Sequence, residues 1–68
     1  MRAYKVTILA EDENGRTITF TEIAEYPTRA EDVSGAVRED EREAKAIRQV
    51  RSRMPHLQNV RAKGSIHV

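Results

Sequence analysis

The residues with the most chemical potential in this chain are its cations. Residues 44–68 carry Lys45, Arg48, Arg51, Arg53, Arg61 and Lys63 and no acid, with His56 and His67 beside them. Residues 11–43 carry all eleven acids against four arginines, a local balance of −7. The whole chain nets only +1, so the charge is split rather than absent. A split of this kind has two readings. The basic third meets an anionic partner, with phosphate held by Lys, Arg and hydroxyls, or the two parts neutralise each other across the fold.

The last ten residues sharpen the first reading. In "NVRAKGSIHV" every second residue is apolar or small: Val60, Ala62, Gly64, Ile66 and Val68. Arg61, Lys63, Ser65 and His67 alternate with them. Read as a strand, this puts a cationic, hydroxyl-bearing row on one face. With Lys5, Arg48, Arg51 and Arg53 it makes a candidate nucleic-acid or anion surface. The face offers no aromatic for base stacking, however, and the wet side of any half-buried strand has the same pattern.

Other chemistries find little support. The two histidines show no ligand spacing with carboxylates, and there is no cysteine, which excludes thiolate metal sites and disulfides. Ser34, Ser52 and Ser65 lie in no nucleophile motif. Gly15, Gly35 and Gly64 form no phosphate loop. The expectation is a non-enzyme with no cofactor and no metal. No apolar run approaches the ~20 residues of a membrane span. The N-terminus lacks a signal peptide's apolar stretch, so a soluble cytoplasmic protein is expected.

These surfaces must be positioned by very few elements. A chain of 68 residues is one domain, here with 38% apolar residues, one Phe and no Trp. Residues 3–10 alternate, with Tyr4, Val6, Ile8 and Ala10 on one face. Residues 17–25 alternate as well, with Ile18 and Phe20 opposite Thr17, Thr19 and Thr21. Asn14-Gly15 between them signals a hairpin. A two-residue loop would set the apolar side chains on opposite faces. A three-residue loop, Glu13-Asn14-Gly15, pairs Ile8 with Phe20 and Ala10 with Ile18, and is the expectation. Past Phe20 the alternation fails, because Glu22 falls on the core side and Ile23 on the wet side. A bulge near Thr21–Glu22 would repair it. Gly64, inside the last strand, suggests a bulge or a close backbone approach.

Thr28 and Glu31 have capping-box spacing, and helical pattern runs from there to about Arg53, before Pro55. One helix over 29–53 would span about 37 Å and overhang the strands. Alternatively the chain breaks near Ser34-Gly35 and the main helix starts near Val37. The element order β-β-α-β then predicts a small α+β domain. Its sheet has three mainly antiparallel strands, with the first central and one long helix, kinked or continuous, on one face.

The helix is the second candidate surface. Its acidic residues Glu39, Asp40 and Glu43 precede the basic Arg48, Arg51 and Arg53, an arrangement suited to antiparallel self-pairing about a two-fold axis. Ala44, Ile47, Val50 and Met54 would be its apolar anchors, although as plain core residues they need no partner. A small core without staples often leans on self-association. In composition the chain resembles small accessory proteins of phages or of high-GC bacteria, though no motif carries the likeness. The expectation is therefore a non-catalytic protein-interaction module that forms a homodimer and serves as an adaptor or modulator. The alternative is a nucleic-acid-binding protein. An open sheet edge would also be able to recruit a strand from a partner.

Overall fold

The computed structural model describes residues 2–26 and 37–68. The elements are β1 (Arg2–Glu11), β2 (Thr17–Tyr26), α1 (Glu39–Arg53) and β3 (Gln58–His67). The strands form one antiparallel sheet in the order β2-β1-β3, so the first strand is central, as expected. Helix α1 packs on one face. The Thr28–Glu31 box and the Ser34-Gly35 break lie outside the described residues.

The hairpin has the three-residue loop. Ile8 pairs with Phe20 and Ala10 with Ile18, and Gly15 takes the left-handed backbone that this loop requires, with φ 78°. Asp12 completes the turn. Its N–H donates to the Arg16 carbonyl at 2.9 Å, and its Oδ1 accepts from the N–H groups of Asn14 and Arg16. This is the local side-chain bonding that makes Asp a turn residue.

The expected bulge at Thr21–Glu22 does not occur. The β1–β2 register runs unbroken from Arg2 opposite Tyr26 to Glu11 opposite Thr17. Glu22 stays on the core side, 6% exposed, and Ile23 stays outside. A carboxylate is tolerable there because it is fully bonded. Arg53 donates to both of its oxygens at 2.7 Å, and Gln49 donates at 2.8 Å.

Helix α1 has 15 residues, so it is roughly 22 Å long against roughly 33 Å for a ten-residue strand. It does not overhang the sheet. Its start at Glu39 agrees with the broken-chain alternative. Acids in its first turn and arginines in its last suit the helix dipole. Arg38, at the N-cap, makes no side-chain capping bond; its guanidinium bridges Asp40 instead. At the other end Met54 N–H donates to Val50 O, and Leu57 N–H donates to Met54 O.

The helix face is rotated from the expected one. Ala46 and Val50 are its buried centre, while Ile47 and Met54 only flank the core and Ala44 is half-buried. Asp40 is exposed. The core consists of Val6, Ile8, Ala10, Ala24, Ala46, Val50, Leu57 and Val60, with Ile18, Phe20, Tyr26, Ile47, Met54 and Ala62 at its margin.

β3 departs most from simple alternation. Its pairing to β1 shifts twice, between Thr7 and Ile8 and between Leu9 and Glu11. At the first shift Lys63 is the extra residue and Gly64 adopts φ 140°. At the second, Asn59 adopts φ 52°, which Asn tolerates better than most residues. The Gly64 bulge was legible, but it reverses everything after it. Val60 and Ala62 face the core, whereas Ser65 and His67 lie opposite Val6 and Tyr4 on that same inner side. Gly64 and Ile66 then point to the outer face.

Candidate interaction surface

The outer face of the sheet is built as four cross-strand rows. They read Ile23–Lys5–Ile66, Thr21–Thr7–Gly64, Thr19–Leu9–Arg61 and Thr17–Glu11–Gln58. No described residue covers this face, since α1 lies on the other. Ile23 is 41% exposed and Ile66 is 62% exposed, flanking the stem of Lys5. Leu9 is half-buried in the row that carries Arg61. The result is a mostly neutral, threonine-rich platform with an apolar band at one end.

The structure separates the cations proposed for an anion. Arg61 donates to Glu11 at 2.8 Å, and Asn59 donates to the other oxygen of that carboxylate at 3.0 Å. These two bonds, Arg61 first, hold the Glu11 carboxyl below its ordinary value. Arg53 is committed to Glu22. His67 lies on the helix side of the sheet and is exposed there, its ring edge-on to Tyr4 with centroids 5.1 Å apart. Ser65 accepts a bond from Arg42 instead of lying on the wet face. Lys5 and Lys63 remain exposed at the sheet, while Arg48 and Arg51 are exposed on the helix, away from it. None of these four has an ion pair among the described residues.

The helix candidates are also redistributed. Val50 is sealed in the core, and Ile47 and Met54 pack against it. Glu39 and Asp40 are exposed, with Asp40 bound by Arg38. Glu43 is half-buried; burial, then neighbouring Glu39, pushes its carboxyl up. The helix therefore turns its apolar residues inward and offers a partner little beyond charge.

One cluster gave no sign in the sequence beyond Tyr4 on the core side. Arg42 stacks over the Tyr4 ring at 4.5 Å, and Lys45 over the Tyr26 ring at 4.1 Å. The two rings meet edge to face at 6.1 Å, and Val37 N–H donates to the Tyr4 hydroxyl at 3.3 Å. The Tyr26 hydroxyl is buried with no hydrogen-bond partner among the described residues, and burial raises its pKa. Cation–π stacking of this kind pins the start of α1 to the sheet. It contains no nucleophile with a base.

Glu22 makes stability sensitive to acid. Its bonds to Arg53, and secondarily to Gln49, hold its carboxyl below the ordinary value despite burial. A carboxylate lowered on folding contributes stability that is present at neutral pH and lost as pH falls through the lowered value. Glu11 acts with the same sign; Glu43, raised on folding, acts oppositely. Urea melts of the parent chain at neutral pH and near pH 3 should show a marked loss on the acid side. In Glu22→Gln that loss should shrink, from a lower neutral starting point. An unchanged pH slope in the variant would remove Glu22 from the account.

Among the described residues no three His, Asp or Glu side chains gather as a metal site, and no helix is long and apolar enough to cross a membrane. No protein-family model matches the chain, and no curated protein or solved structure matches it either.

Proposed function

We propose that the chain is a non-catalytic binding module that works as a homodimer and offers its bare sheet face to a protein partner. It would serve as an adaptor or modulator of the phage or bacterial accessory type. The observation that carries this reading is the uncovered row Ile23–Lys5–Ile66 beside half-buried Leu9. Exposed apolar groups rimmed by hydroxyls and a few charges are the composition of a protein-contact surface. The core behind it is small for independent stability, which favours association. Self-pairing through the helix loses its support, because α1 is short and its apolar residues belong to the core.

The nucleic-acid reading has less to stand on. Two of its cations are bound to Glu11 and Glu22, His67 lies on the opposite side of the sheet from Arg61, and the remaining cations divide between opposite faces. Light scattering from micromolar to about millimolar concentration, with anisotropy titrations of random duplex and single-stranded DNA at two salt concentrations, decides between the readings. A mass rising to that of a dimer without salt-sensitive DNA binding is expected. A strict monomer at the highest concentration overturns the homodimer. Micromolar binding that weakens steeply with salt transfers the proposal to nucleic acid.

A further inference from the structure

The backbone groups of a strand alternate sides, and one bond sets the phase. Val68 N–H donates to Ala3 O, so the odd residues of β1 face β3 and the even ones face β2. The bond from Asp12 N–H to Arg16 O agrees. Opposite the even residues, Ile18, Phe20, Glu22 and Ala24 turn toward β1. Thr17, Thr19, Thr21, Ile23 and Glu25 therefore point their N–H and C=O groups away from the sheet.

Part of this edge is closed. Gln49 donates to the Ile23 carbonyl at 2.9 Å and Lys45 donates to the Glu25 carbonyl. The far edge, on β3, is broken by two bulges, a common guard against further pairing. What stays open is Thr17–Thr21, "TITFT", an uncharged segment in regular register whose outward groups no described side chain reaches. Beneath it, Ile18 and Phe20 are only half-buried. The helix ends at Arg53, which sits on Glu22, one inward position short of Phe20.

We infer that a second copy of the chain docks on this half-edge. Thr17–Thr21 of the two chains pair antiparallel about a two-fold axis at Thr19, giving one six-stranded sheet. The inference rests on the homodimer reading and specifies its interface. Thr19 meets Thr19, and Thr17 meets Thr21, each pair exchanging two backbone bonds. An uncharged segment meets itself without repulsion, as a two-fold interface requires. Just beyond it, Arg16 comes opposite Glu22 of the copy, a pairing of opposite sign. The half-buried Ile18 and Phe20 of both chains share the inner side, and the two outer faces join into one platform.

The test is amide hydrogen exchange by NMR on the unmodified chain, below and above the concentration at which the mass doubles. The Thr17, Thr19 and Thr21 amides should gain at least ~10-fold protection on association, whereas the outward amides of Ser65 and His67 should not. A dimer that leaves the three threonine amides unprotected overturns this docking and spares the homodimer. Absence of any dimer overturns both. Thr19→Pro removes an outward N–H that bonds no described residue, a position where proline is tolerated. It should weaken dimerisation about 30-fold for two lost interchain bonds, with the monomer's far-ultraviolet dichroism retained. Unchanged dimerisation of the folded variant overturns the proposal, and if the variant unfolds the exchange result decides.

Discussion

Replacing Ile8 by Ala should destabilise the chain by about 3–4 kcal/mol, the cost of deleting a large aliphatic side chain from a site that cannot collapse. Ile8 is fully buried on the central strand, between Phe20 on one neighbour and Ala62 on the other. Among the described residues the core cluster holds eight buried apolar side chains, three of them alanines, so little is available to fill the void. A chain of 68 residues has roughly 3–10 kcal/mol of total stability, so the substitution should remove about a third of it or more. Urea titration followed by far-ultraviolet dichroism measures the loss. Ile23→Ala, on the bare outer face, is the control and should stay within about 0.5 kcal/mol of the parent. Equal costs at the two positions would mean that the outer face is covered in solution, or that the helix does not pack on the inner one.

Gly64→Val should cost about 2–3 kcal/mol, almost all of it conformational. A Cβ built at Gly64 meets nothing within 4 Å, so crowding is not the obstacle. The obstacle is φ 140°, which side chains of L configuration rarely adopt and a β-branched one tolerates least. The variant could escape only by straightening the bulge. That would return Ser65 and His67 to the outer face and drive Ile66 against Val6 and Tyr4. The Tyr4–His67 proton contacts in NMR spectra report which occurs. D-Alanine at the same position, whose mirror-image preference includes positive φ, should restore both stability and contact. A valine variant as stable as the parent, with the contact intact, would contradict the strain described here.

The hairpin was legible because two independent signals agreed. Asn14-Gly15 asked for a turn, and burial of Ile8 with Phe20 allowed only one loop length. Glu22 departs from the expected bulge for a physical reason. Local alternation treats a carboxylate on the core side as an error to be repaired, whereas its repair is Arg53, 31 positions away on a helix whose rotation was not known. That rotation is hidden by Ala46, whose small side chain weighs little in any hydrophobic pattern yet is fully buried in the core. In β3 the glycine marks the bulge, but simple alternation does not carry its consequence along the strand. One added residue inverts the side of everything beyond it, which moved His67 and Ser65 off the candidate surface. Arg61 kept its expected face, but only the pairing of β1 with β3 could show that Glu11 had already engaged it.

The placement of the aromatic residues also decides what optical experiments can see. The chain has two tyrosines and no tryptophan, so nearly all intrinsic fluorescence comes from Tyr4 and Tyr26. Both lie where α1 begins, ring against ring, with Arg42 and Lys45 stacked on them. Emission therefore reports on that end alone. The hairpin end, lit only by Phe20, is nearly dark. Melts followed by tyrosine light and by backbone dichroism should coincide if the molecule unfolds as one unit. A gap between them would reveal fraying of the helix start from the sheet, read from two rings that nature placed side by side.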